Sequence, residues 1–144
     1  MKIHEATVRD LLKKHWPPLG CIVERIEQKY NVGWPDLNCV YRGVEFWVEL
    51  KSAKHQDVGL SNEQVVWIRN RVLAGSIVWI LVRKNDDLRL YAGESVLLLH
   101  QGGLRLPAYK SAVVGDVESY KALLDVMSAP TMLTRQARAR AAAR

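Results

Sequence analysis

Residues 76–82 read Ser-Ile-Val-Trp-Ile-Leu-Val, an almost unbroken apolar run. A run of that kind marks a strand buried on both faces, near the middle of a mixed sheet. It is far short of the roughly 18 apolar residues that cross a membrane, and no other run reaches that length. The segment before it reads as a helix. Ser61 and Gln64 fit an S-x-x-Q capping box, Val65, Ile68 and Val72 form a buried stripe flanked by Trp67, and Gly75 suits the helix end. A helix leading into such a strand makes a crossover, which needs a sheet to return to.

The stretch from Gly33 to Lys51 supplies that sheet. Pro35 cannot donate to a ladder and suits the start of a strand. Leu37–Tyr41 and Val44–Leu50 are rich in β-branched and aromatic residues, with Arg42-Gly43 as the turn between them. A two-residue loop pairs Tyr41 with Val44. Counting outward places Asp36 opposite Glu49 on one face, which Lys51 shares, while Phe46, Val48 and Leu50 form an apolar row on the other. Two opposed carboxylates repel. A divalent cation between them removes that cost, and hard oxygen ligands suit Mg²⁺ or Mn²⁺. A lysine beside it can hold a phosphate oxygen or the attacking water. The other interpretation is an exposed hairpin face on which Lys51 neutralises the acids.

The remaining elements surround this hairpin. Ile3–Lys14 reads as a helix with Glu5, Val8 and Leu12 on one face. An inward Glu5 needs a partner, unless it only complements the helix dipole. Trp16-Pro17-Pro18-Leu19-Gly20 is a turn, and Cys21–Tyr30 a candidate strand. The loop over residues 52–60 carries Lys54 and His55, either phosphate contacts or solvated side chains. Arg69 and Arg71 either line a substrate groove or are solvated. Residues 83–87 form a turn and Leu88–Ala92 a short strand. Glu94–His100 reads as a short helix, Leu104–Tyr109 as an extended segment, and Asp116–Met127 as a helix with Val117, Tyr120, Leu124 and Met127 inward.

The net charge of +6 is unevenly spread. Ser128–Arg144 holds four arginines and no acid, leaving 17 basic and 15 acidic residues, a balance of +2, before it. A basic tail attracts polyanions, nucleic acid above all, or simply solubilises a chain end. Two cysteines, Cys21 and Cys39, argue against a disulfide scaffold or a cysteine zinc site. No signal peptide is apparent, and a reducing cytoplasmic location is expected.

Gly33-Trp34-Pro35-Asp36 followed by Glu49-Leu50-Lys51 resembles the signature of the PD-(D/E)XK nuclease superfamily. The glycine ahead of Pro-Asp is similar to the Holliday-junction-resolvase-like and VRR-NUC branches. The resemblance covers roughly residues 3–92. It implies an α/β, restriction-endonuclease-like core (α-β-β-β-α-β) with a mixed central sheet flanked by helices and a C-terminal helical extension. The domain is expected over residues 1–127, with a basic tail over 128–144. Carried over, Asp36, Glu49 and the Leu50 carbonyl bind Mg²⁺ or Mn²⁺, Glu5 completes the site, Lys51 assists the water or the phosphate, and Gln64 faces the centre. The implied activity is that of a metal-dependent deoxyribonuclease, compatible with structure-selective cutting and a homodimer, with RNA left open as a substrate. Lys54, His55, Arg69, Arg135, Arg138 and Arg140 are the expected nucleic-acid contacts. The competing class is an inactive nucleic-acid-binding or assembly protein on the same fold.

Overall fold

The computed structural model describes residues 2–129, with side chains from residue 7 onward. Among these residues, six strands form one sheet in sequential order: β1 (Ile22–Arg25), β2 (Leu37–Tyr41), β3 (Val44–Ser52), β4 (Val78–Lys84), β5 (Asp87–Ala92) and β6 (Lys110–Val113). The helices are α1 (Lys2–His15), α2 (Asn62–Leu73), α3 (Val96–Gly102) and α4 (Val117–Met127). The order α-β-β-β-α-β is present, and the sheet is mixed. Every neighbouring pair is antiparallel except β3 and β4, which the α2 crossover makes parallel.

β4 explains the two-layered cover. Val78 to Val82 are all at most 1% exposed. Trp79 and Leu81 face a core built with Val8, Leu12 and Trp16 from the α1 side and Tyr120, Leu124 and Met127 from α4. Val78, Ile80 and Val82 face a second core with Val65, Ile68 and Val72 of α2 and Val96 and Leu99 of α3. Fully burying such side chains stabilises by roughly 1.5–3 kcal/mol each. The large indoles also satisfy their N–H groups: Trp16 Nε1 donates to the Tyr120 carbonyl at 3.0 Å, and Trp79 Nε1 to the Met127 carbonyl at 3.1 Å. Cys21 and Cys39 lie reduced and buried in the first core. The Cys39 thiol donates to Cys21, which with burial holds the Cys39 thiol well above its ordinary range.

Several boundaries differ from the sequence expectation. The strand expected over 21–30 stops at Arg25, because the following residues form a loop with its own bonds, Asn31 Nδ2 to the Glu27 carbonyl and Gln28 Nε2 to the Pro35 carbonyl. The extended segment expected over 104–109 is a 3-10 turn (Gly103–Arg105) and a short connection, and the sixth strand lies later, at Lys110–Val113. Pro107 has no N–H for a ladder, and Leu104 is drawn into the second core instead. Val117 is 54% exposed rather than inward; it opens α4, whose buried stripe is Tyr120, Leu123, Leu124 and Met127.

Candidate active site

The β2–β3 hairpin has the expected register, Tyr41 with Val44 through Leu37 with Val48. Continuing that register one step outward sets Asp36, one residue outside β2, opposite Glu49. β3 continues past this point. Alternate residues of a strand point their N–H and C=O groups to opposite edges, and both groups of one residue point to the same edge. Trp47 N–H donates toward β4, to the Ile77 carbonyl at 2.9 Å, so Leu50 faces the β2 edge. No β2 ladder residue meets it there. Instead the Leu50 N–H donates to Asp36 Oδ2 at 2.7 Å. Asp36 thus caps the strand edge, and the Leu50 carbonyl lies on the same side.

Glu49 is the one charged residue that is buried among the described residues, at 2% exposure. A buried carboxylate is costly unless hydrogen-bonded. Its Oε2 accepts from Gln64 Nε2 at 3.1 Å and lies 3.8 Å from Lys51 Nζ. Lys51 Nζ also donates to the Gly59 carbonyl at 3.2 Å, tying the loop after β3 to the site. Gln64 reaches Glu49 because Ser61 caps α2: its hydroxyl accepts the Gln64 N–H at 3.1 Å, while Gln64 Oε1 accepts the Ser61 N–H at 2.9 Å.

The donor set suits a hard divalent cation. Mg²⁺ sites typically use one or two carboxylates with water and substrate oxygens. No group of three or more His, Cys, Asp or Glu side chains forms a metal-ligating cluster among the described residues. Glu5 is in α1, but its side chain lies outside the described residues.

The nucleic-acid candidates are less convergent. Lys54 and His55 are exposed on the loop that Lys51 anchors. Arg69 is half-buried on α2; five residues past Gln64, it lies about 140° around the helix from it. Arg135, Arg138 and Arg140 lie outside the described residues. Sequence reasoning missed the Gly59 carbonyl, a backbone group with no side-chain signal. It also assigned no role to Trp34 and Trp47, which pack with Trp67 beside the site.

No protein-family model matches the chain, and no curated protein matches it in sequence. Among solved structures, the chain is similar to Hjc, a Holliday junction resolvase from the archaeal hyperthermophile Archaeoglobus fulgidus, at 19% identity and a TM-score of 0.47, over 58% of this chain and 71% of that one. The likeness is partial.

Proposed function

We propose that this chain is a metal-dependent nuclease of the PD-(D/E)XK type that hydrolyses phosphodiester bonds in DNA. The observation that carries this reading is the buried Glu49, held by Gln64 and Lys51 at the position next to Asp36, whose carboxylate meets the Leu50 backbone. Asp36, Glu49 and the Leu50 carbonyl would hold Mg²⁺ or Mn²⁺, with Glu5 as a further ligand. A bound divalent cation supplies Lewis acidity toward a phosphate oxygen and a more acidic water. Lys51 stands where an ammonium stabilises charge developing on the phosphate or steadies the attacking water. Gln64 keeps the Glu49 carboxylate oriented.

Affinity for DNA would come mainly from phosphate contacts, Lys54, His55 and the tail arginines among them, so binding should weaken steeply with salt. Cleavage selective for branched DNA by a homodimer is the finer form of the proposal. No helix among the described residues is long and apolar enough to cross a membrane.

The test is a cleavage panel of four-way, flapped, single-stranded and linear DNA in Mg²⁺ and in Mn²⁺, with Asp36→Asn and Lys51→Ala as controls. Cutting by the wild type alone, with DNA binding retained by both variants, supports the enzyme. A wild type that cuts none of these in either metal, yet binds DNA, makes the chain a non-catalytic binding protein.

A further inference from the structure

Three tryptophans from three separate segments meet beside the site. Trp34 lies in the connection from β1 to β2, Trp47 on β3 and Trp67 on α2. Their ring centroids are 5.9 Å (Trp34–Trp47), 5.7 Å (Trp34–Trp67) and 5.3 Å (Trp47–Trp67) apart, all tilted or edge-on. The Arg71 guanidinium packs against all three rings, 4.5 Å from Trp67, 5.5 Å from Trp34 and 5.7 Å from Trp47. A planar guanidinium is attracted to indole faces, and a lysine does not reproduce that stacking.

Each member of this block leads directly to a site residue. Trp34 precedes Asp36 by two residues, with the rigid Pro35 between them. Trp47 precedes Glu49 by two residues on the same strand face. Trp67 and Arg71 follow Gln64 at i+3 and i+7, so the three share one stripe of α2. The Asp36 segment touches α2 at a further point: a Cβ on Gly33 would lie 2.7 Å from the Glu63 carbonyl oxygen. At the site itself, the Asp36 segment reaches β3 through the end of the β2–β3 ladder and the Leu50 N–H, and α2 reaches β3 through Gln64 and Glu49. Two like charges there work against approach. The aromatic block is where all three limbs meet at once, adding α2 to the Asp36 segment and β3 that the ladder already joins.

We infer that Arg71 and Trp34 are positioning residues: the Trp34–Trp47–Trp67–Arg71 block clamps the Asp36 segment to β3 and α2 and holds the two carboxylates within reach of one cation. This rests on the metal-site reading above. It also gives Arg71 a task other than contact with DNA.

The test uses the full chain and the variants Arg71→Gln, Arg71→Lys and Trp34→Phe, well below each variant's melting temperature. Two quantities are measured without DNA. The first is hydrogen exchange of the Leu50 amide, relative to the Val48 amide facing the same edge, in metal-free protein. The second is Mn²⁺ affinity. In Arg71→Gln the exchange ratio should rise, and Mn²⁺ affinity fall, by about tenfold, as expected for the loss of a partly desolvated cation–π contact. Arg71→Lys and Trp34→Phe should fall between it and wild type, with the KM for DNA unchanged. If only the melting temperature drops, with exchange ratio and Mn²⁺ affinity as in wild type, the block is packing alone and the inference is overturned. It is equally overturned if KM for DNA rises while kcat and Mn²⁺ affinity hold. A wild type that binds no Mn²⁺, with the exchange ratio still raised in Arg71→Gln, upholds the clamp on Asp36 and removes the metal reading instead.

Discussion

The Gln64 side chain donates from Nε2 to Glu49 Oε2 at 3.1 Å, while its Oε1 accepts the Ser61 N–H that opens α2. The sequence pattern sets capping and site work in competition for this residue. An amide has a donor end and an acceptor end, so one side chain performs both, and the helix cap aims the donor at the buried carboxylate.

Gln64→Glu separates the two tasks. A glutamate still completes the capping box, but it faces Glu49 with an acceptor and a like charge. Metal-free stability at neutral pH should fall by about 1–3 kcal/mol, the cost of losing a buried hydrogen-bond donor. Added Mn²⁺ should recover part of it. Urea unfolding with and without the cation measures both; equal stability of variant and wild type in metal-free buffer would contradict this account.

Asp36→Asn should separate stability from activity. The amide oxygen can still accept the Leu50 N–H now bound by Oδ2, while the repulsion between neighbouring acids, worth roughly 0.2–1 kcal/mol, disappears. The melting temperature in metal-free buffer should hold or rise by about 1–3 °C. Mn²⁺ binding and DNA cleavage should be lost. Calorimetry and a cleavage assay on the same preparation check the pair of outcomes.

Lys51→Met leaves Glu49 without its nearby cation and frees the Gly59 carbonyl. Lys51 is 13% exposed and 3.8 Å from the carboxylate, so the loss should be about 1–3 kcal/mol, at the lower end of what breaking a buried pair costs. Cleavage should fall by about a hundredfold or more, as for loss of a transition-state charge contact. The loop after β3 should become more sensitive to limited proteolysis than in wild type.

Gly33→Ala should destabilise more than Gly43→Ala. Both glycines have positive φ, 83° and 78°, where a side chain costs about 1 kcal/mol or more. Around Gly43 the space is open, whereas at Gly33 the new methyl group meets the Glu63 backbone. The extra loss at Gly33 should be about 1–3 kcal/mol, the scale of overpacking, and Mn²⁺ affinity should fall with it, because the same contact seats the Asp36 segment on α2. Denaturation of the two variants side by side tests the difference.

Much of the local structure was legible. The apolar run at 76–82 marked a strand covered on both faces, Ser61 and Gln64 marked a helix start, and the Arg42-Gly43 turn set the register that carries Asp36 to Glu49. The readings that failed lay where local preference was weak. Val117 has the spacing of a core residue but sits at the first position of α4, with 54% of its surface exposed. β6 is a four-residue edge strand, Lys-Ser-Ala-Val, with no periodicity strong enough to outweigh the leucines before it.

By itself the sequence determined what depends on near neighbours: strand alternation, turn chemistry, the cap, and the face on which Asp36, Glu49 and Lys51 fall, since these follow from backbone sterics within a few residues. Only the tertiary structure decided that Gln64 meets Glu49, that Gly59 receives Lys51, and that Trp34, Trp47, Trp67 and Arg71 form one block. Those meetings depend on where the α2 crossover returns the chain to the sheet and on which face the helix packs, and no local spacing encodes either.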